Sequence, residues 1–123
     1  MFKNRKIALI TAMISGIIGS TATANNVADF YKGKTITIAI PYGPGGTYDK
    51  YGSTFANHLG NHIPGKPNVI VQHRPGAGGA KAMNYTYNVA PKNGTFGMVP
   101  LDAAVVNQLL RPDRMRYDAS KFQ

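Results

Sequence analysis

The spacing of apolar residues along the chain changes period several times, and each change marks a new structural element. Residues 34–41 (KTITIAIP) alternate, with Ile36, Ile38 and Ile40 on one side and Thr35, Thr37 and Ala39 on the other, which predicts a β-strand. Residues 47–63 repeat with helical spacing instead, which predicts an amphipathic helix. Its predicted apolar face consists of Tyr48, Tyr51, Gly52, Phe55, Ala56, Leu59 and Ile63.

The same order occurs twice more along the chain. Residues 68–73 and 95–100 are predicted strands, and residues 80–90 and 103–110 are predicted helices, after which the pattern fades. The order β-α-β-α-β-α predicts an α/β fold with a parallel sheet and right-handed crossovers. Ligands of such sheets bind at the carboxyl ends of the strands, in the loops that lead into the helices.

The N-terminal segment has the features of a secretory signal. Lys3, Arg5 and Lys6 precede the apolar residues 7–19, a run that is short for a membrane span, and residues 22–24 (ATA) have the small-x-small pattern of a cleavage site. We therefore expect cleavage after Ala24, which leaves residues 25–123 in the periplasm. The less favoured alternative is an uncleaved membrane anchor.

Composition narrows the picture only slightly. The chain has no cysteine, which excludes disulfides and a lipid-modified cysteine, so its core alone must hold it together. The formal net charge is +9, but the lysines are scattered and only Arg111, Arg114 and Arg116 form a cluster. Charge alone therefore selects no partner, and nucleic acid is not predicted.

Two glycine-rich stretches lie where a ligand would be expected. GPGG at residues 43–46 and PGAGG at residues 75–79 each join a predicted strand to a predicted helix. Glycine lets another molecule approach the backbone, and helix N-termini present N–H groups to anions. The alternative is that these glycines serve only tight turns and packing. Neither stretch has the phosphate-loop or dinucleotide pattern, so a carboxylate or a small inorganic anion is the predicted ligand.

Side chains near these loops have more than one interpretation. Asp49 is expected to stabilise the helix or close the loop through backbone N–H groups, rather than to contact the ligand. Thr47 could cap the helix or donate to a ligand, and Arg74 could pair with a carboxylate or be a surface charge. His58 and His62 are four residues apart but have no third partner, so no metal site is predicted. No cofactor motif or catalytic set is visible, and an enzyme is not expected.

Several motifs together resemble one family. The sequence YKGKTITIAIPYGPGGTYDKYG resembles the opening of the Bug-type substrate-binding proteins of tripartite tricarboxylate transporters, with its P-x-x-x-G-G-x-x-D loop at Pro41, Gly45, Gly46 and Asp49. HRPGAGG resembles the family's second loop, with His73 in place of asparagine. APKNGTFG resembles the turn into the third strand, and Tyr117 and Asp118 match a later Y-D pair.

The resemblance implies a periplasmic-binding-protein-like fold of type 2, in which two α/β domains close on a small organic acid. Family members are much longer, so we expect residues 25–123 to be the N-terminal part of the first domain. Membrane subunits of a transporter are the implied partners, and a monomer is expected. The implied ligand-binding residues are Tyr42, Gly43, Pro44, Gly45, Gly46, Thr47, Asp49, Pro75, Gly76, Ala77, Gly78, Gly79, Leu101, Asp102 and Ala103.

A second hypothesis belongs to another class of protein. The arginines at positions 111, 114 and 116 could make the chain a non-catalytic interaction module that docks on an acidic partner or a membrane surface. Such binding would fall steeply with salt and would survive substitution of the glycine loops. The binding of a receptor would not fall steeply with salt, and it would be lost when the glycine loops are substituted.

Overall fold

A computed structural model describes residues 21–99 and 103–122 of the chain. The order of the longer elements is α1 (Thr21–Tyr31), β1 (Thr35–Ile40), α2 (Thr47–His62), β2 (Asn68–His73), α3 (Ala80–Asn88), β3 (Phe96–Met98) and α4 (Ala104–Leu110). Short 3-10 turns lie at Ala77–Gly79 and Ala119–Lys121. The predicted signal of residues 1–24 lies outside the described residues, except for its last four, with which α1 begins.

The three strands form one parallel sheet in the order β2-β1-β3. Ile38 of β1 is opposite Val71 of β2 and Gly97 of β3, so β1 is bonded on both sides. The hydrogen bonds continue beyond the strands, since Arg74 N donates to Ile40 O at 2.8 Å. The carboxyl ends of the strands therefore lie along one edge, and the prediction of a parallel α/β sheet is confirmed.

One hydrophobic core lies between the sheet and α2. Ile36, Ile38 and Ile40 are buried against Ala56 of α2 and against Val99. These isoleucines alternate with residues that point to the opposite face, as the period of a β-strand requires. The predicted inner face of β1 is therefore confirmed.

A second core covers the other face of the sheet. Met98 is opposite Ala39, so both residues lie on the face away from Ile38, and Ala39 is completely buried. Met83 of α3, Ala104 of α4 and Tyr117 form the centre of this core. Because helices cover both faces, β1 is buried on both sides over its last residues, which strict alternation did not predict.

The apolar face predicted for α2 is partly wrong. Gly52 and Ala56 are buried and Tyr48 is half-buried, but Tyr51 is 67% exposed and Phe55 50% exposed. These two residues lie at the margin of the helical stripe, where spacing alone does not distinguish a buried from an exposed position. Leu59 and Ile63 pack on the core as predicted.

Other boundaries differ modestly from the predictions. The helix predicted over residues 80–90 ends at Asn88, and the strand predicted over residues 95–100 is only Phe96–Met98. Helix α1 was not predicted, because its residues were assigned to the signal and its junction. Among the described helices, none is long and apolar enough to cross a membrane.

Candidate functional site

The first glycine loop lies at the carboxyl end of the central strand. It follows the fully buried residues Ile40 and Pro41 and leads into α2, whose N-cap is Gly46. Gly46 has no side chain to accept hydrogen bonds from the first helical turn, and Thr47 begins the helix with an exposed side chain. Thr47 is thus the first helical residue and does not occupy the cap position.

Only one glycine of this loop is required by its backbone conformation. Gly45 has a φ of +91°, a conformation that other residues rarely adopt. Gly46 is extended, with φ −85° and ψ −179°, and Gly43 also lacks a positive φ. A Cβ atom at either position would meet no described atom within 4 Å. Gly46 occupies the N-cap position, where glycine is favoured, and neither glycine is required by packing. The backbone at both positions is open to another molecule.

The second glycine loop is explained differently. Gly76, Ala77, Gly78 and Gly79 have positive φ values in succession, so the glycines are needed for the chain to turn. Gly79 N donates to Gly76 O at 3.0 Å, and Ala80 N donates to Ala77 O. These amides bond within the loop itself. The turn interpretation therefore fits the second loop better than the first, although Pro75 and residues 76–78 are exposed.

Asp49 connects the first loop to the neighbouring strand. Its Oδ2 accepts a hydrogen bond from Gly45 N at 2.7 Å, and its Oδ1 accepts one from the Ser53 hydroxyl at 3.0 Å. The same Oδ1 lies 2.7 Å from His73 Nε2, and because a carboxylate only accepts, the imidazole donates. Both carboxylate oxygens are thus occupied by the protein. The expectation that Asp49 closes the loop through a backbone N–H is confirmed.

These hydrogen bonds also stabilise the charged form of Asp49. The backbone N–H of Gly45 has the largest effect, followed by the side chains of His73 and Ser53, and together they lower the pKa of Asp49 below its ordinary value of 3.8. The carboxylate consequently holds the loop at neutral pH. Its side chain is 19% exposed and that of His73 is 27% exposed.

No local pattern in the sequence predicts this role of His73. The contact with Asp49 spans 24 residues and depends on the register of β2 against β1, which no local pattern reveals. The i, i+4 spacing drew attention to His58 and His62, but both are exposed. No group of three potential metal ligands occurs among the described residues.

Arg74 is held in place at the start of the second loop. Its Nε and Nη2 donate to Gln72 Oε1 at 3.2 and 3.0 Å, and its guanidinium lies 3.4 Å from the centre of the Tyr85 ring. This stacking on an aromatic face orients the cation. Arg74 is therefore a fixed charge at the edge of the sheet where the glycine loops lie.

Aromatic residues border the first loop. The rings of Tyr42 and Tyr48 lie 4.8 Å apart, and a small recess of about 200 Å³ is lined by Thr47, Tyr48, Tyr51 and Val99. Pro44 is exposed at the tip of the loop. The first loop thus combines an accessible backbone with an adjacent apolar surface.

The third predicted binding segment is only partly described. Leu101 and Asp102 lie outside the described residues, whereas Ala103 is the N-cap of α4 and is half-buried. Met98, at the end of β3, pairs with Ala39, so this segment starts at the same edge of the sheet as the two glycine loops. The strands that precede all three predicted segments therefore end at the same edge of the sheet.

Comparison with known proteins assigns neither a family nor a function to the chain. No protein-family model matches the chain, and neither a curated protein nor a solved structure does.

Proposed function

We propose that the chain is part of a periplasmic solute-binding receptor for a small organic carboxylate. The observation that carries the proposal is the open backbone at Gly43 and Gly46, where a Cβ atom would meet no described atom within 4 Å. They lie in a loop before the N-terminus of α2, at the carboxyl end of a parallel sheet. Helix N-termini favour anions, and parallel sheets bind ligands at this edge.

In this proposal the carboxylate contacts the main chain of the first loop, and Asp49 keeps that loop in its binding conformation. The loop is held rigidly because Gly45 N and His73 both bond to Asp49. A preorganised loop binds with a smaller entropy cost than a flexible one. Arg74 supplies a positive charge nearby, and Tyr48 with Tyr51 offers apolar surface for the body of the acid.

Export and partners complete the proposal. The resemblance to Bug-type proteins and the basic-apolar-small pattern of residues 1–24 support a periplasmic location. A second domain would cover the ligand, and membrane subunits of a tripartite transporter would receive it. Closure over the ligand would exclude water and strengthen its contacts with the amides.

Calorimetric titration with succinate, citrate and benzoate tests the proposal. Gly46→Val places a side chain in open space on an extended backbone, which a β-branched residue adopts readily, so the stability should change by no more than about 1 kcal/mol. Its affinity for the bound carboxylate should fall more than about tenfold.

Gly33→Ala is the matched control for this substitution. Gly33 lies before β1, at the opposite edge of the sheet, and its φ of +71° makes any side chain strained. This variant should lose stability, by about 1 to 2 kcal/mol, yet bind normally. The receptor proposal fails if no carboxylate binds, or if Gly46→Val binds as well as the unmodified chain.

The interaction-module hypothesis remains a separate prediction. It predicts binding through Arg111, Arg114 and Arg116 that falls steeply with salt. It also requires that Gly46→Val bind the acidic partner normally. Binding to an acidic partner that survives Gly46→Val, together with no binding of the small carboxylates, would favour the interaction module over the receptor.

A further inference from the structure

A cationic cleft lies beside α3, apart from the first glycine loop. Its volume is about 440 Å³. Three cations line it, Lys81 from the first turn of α3 and Arg111 and Arg114 from the segment after α4, together with Asn84. In the sequence, Arg111 and Arg114 form a cluster with Arg116. In the folded chain, Lys81 lines the cleft together with Arg111 and Arg114, whereas Arg116 does not.

Hydrogen bonds from α3 fix the arginine segment next to Lys81. Asn84 Oδ1 accepts a hydrogen bond from Arg116 N at 2.7 Å, and Asn88 Nδ2 donates to Arg116 O at 2.6 Å. These bonds join residues about 30 positions apart in the chain. Further along, the Tyr117 hydroxyl donates to Ala104 O in the buried core. The backbone of Arg116 is therefore held against α3, and the following residue, Tyr117, is tied to the core. The side chains of Arg111 and Arg114 are exposed at the cleft.

Lys81 is also partly fixed. A Cβ atom at Gly76 would lie 3.3 Å from Lys81 Cδ, which shows that the lysine stem packs over the second glycine loop. The stem thus lies along the loop, while the residue as a whole is exposed and lines the cleft.

The charges around the cleft are poorly balanced. Among the described residues, neither Lys81 nor Arg111 forms an ion pair, and Arg114 has only a contact with Asp113 at 3.9 Å. Like charges held together repel each other, and a bound anion would remove that repulsion. Arginine forms paired hydrogen bonds with phosphate and carboxylate oxygens, and Asn84 keeps its side-chain NH₂ as a further donor.

We propose that this cleft is a binding site for a phosphate-type oxyanion, either inorganic phosphate or a phosphate monoester. Three cations match a doubly charged tetrahedral anion better than a single carboxylate, which carries one charge. No residue of the first glycine loop lines this cleft. The phosphate proposal can therefore be tested independently of the carboxylate proposal.

Titration of the full chain with inorganic phosphate, glycerol phosphate and acetate, followed by calorimetry, tests the proposal. We expect saturable binding of phosphate, weaker at high salt, and little binding of acetate. Tighter binding of glycerol phosphate than of inorganic phosphate would identify a monoester as the natural ligand, and the reverse order would identify the free ion. Lys81→Gln, Arg111→Gln and Arg114→Gln should each weaken phosphate binding about tenfold.

Arg116→Gln is the matched control. It removes the same charge from the same segment, but its side chain does not line the cleft, and its backbone bonds to Asn84 and Asn88 persist. Phosphate binding should therefore remain within about twofold of the original. Equal losses in Arg116→Gln and Arg111→Gln, binding that does not saturate, or equal affinity for acetate would overturn the proposal. Gly46→Val should bind phosphate normally, which separates this site from the proposed carboxylate site.

Discussion

At the residue scale, Asp49 connects the first glycine loop to helix α2 and to strand β2. It receives hydrogen bonds from a loop amide, from a hydroxyl on its own helix and from an imidazole on the neighbouring strand. An acidic residue in the first turn of a helix is favoured by the helix dipole. The role of Asp49 becomes specific only because the register of the sheet places His73 beside it.

Replacing Asp49 by asparagine should change how stability depends on pH. The pKa of Asp49 is lowered in the folded state, so its carboxylate stabilises the fold above pH values near 3.8 and loses this effect as the pH falls through the folded-state pKa. Urea unfolding between about pH 5 and pH 2 should therefore show a shallower decline in stability for Asp49→Asn.

Asp118 makes the same kind of contribution and provides a reference. The Ser120 side chain, the Lys121 ammonium and the Ser120 N–H, in that order, lower the pKa of Asp118 to about 2. Because Asp118 is present in both proteins, the difference between the two slopes belongs to Asp49. Identical slopes would show that Asp49 does not hold the loop. Asp113→Asn, at an exposed position, controls for the loss of one surface charge.

A second prediction concerns Asp118 alone. Its two Ser120 hydrogen bonds, at 3.0 Å from the N–H and 2.6 Å from the hydroxyl, form a cap for the last 3-10 turn. A carbon-detected NMR titration of its carboxyl group should give a midpoint near the pKa of about 2. Ser120→Ala should move that midpoint up toward the ordinary aspartate value, because the largest cause of the shift is removed. No movement on this substitution would contradict the assigned cause.

At the element scale, α2 lies close to the sheet because small residues face it. A Cβ atom at Gly52 would lie 2.8 Å from Ile40 Cδ1 and from Val99 Cγ2, and Ala56 is also buried in this contact. Larger residues at these positions would push the helix away from β1. That displacement would move Gly46 and the first glycine loop with it.

Gly52→Ala should therefore destabilise the chain, although alanine favours helices. Overpacking against the fully buried Ile40 costs about 1 to 3 kcal/mol, and the gain in helix propensity offsets about 1 kcal/mol of this. Asn57→Ala, on the exposed side of the same helix, should gain a few tenths of a kcal/mol instead. Urea unfolding checks both values. A higher stability for Gly52→Ala would contradict the close packing.

Periodicity predicted most of these elements but not the contacts that their side chains make. Strands β1 and β2 and helix α2 were predicted to within about two residues, because alternation and helical spacing are local properties. The exposure of Tyr51 and Phe55, the Asp49–His73 contact and the grouping of Lys81 with Arg111 depend on neighbours distant in sequence. The two glycine loops look alike in sequence. Their backbone angles differ, because the glycines of the second loop have positive φ values, whereas only Gly45 of the first loop does.

At the scale of the whole molecule, the central strand joins the two cores and carries the loop that we propose as the ligand site. Ile38 is 5% exposed and packs between α2 and its neighbours in the sheet, whereas Ile70 on the adjacent strand is 45% exposed. The two isoleucines thus offer a matched comparison of burial within one sheet.

Ile38→Ala should cost about 2 to 5 kcal/mol in the free energy of unfolding, since it removes buried methyl groups and leaves a cavity. Ile70→Ala should cost about 1 kcal/mol or less, because much of its side chain is already in contact with water. Chemical unfolding of both variants measures the difference. Equal costs would show that the sheet is not covered as described.

The most direct test of the central claim is an NMR titration of the ¹⁵N-labelled chain with the carboxylate that binds best. The account predicts that the largest shifts occur at the amides of Gly43, Gly46 and Thr47, while Gly33 at the far edge of the sheet remains unchanged. Shifts confined to Lys81 and Arg111, or no saturable shifts at all, would contradict a carboxylate site at the first glycine loop.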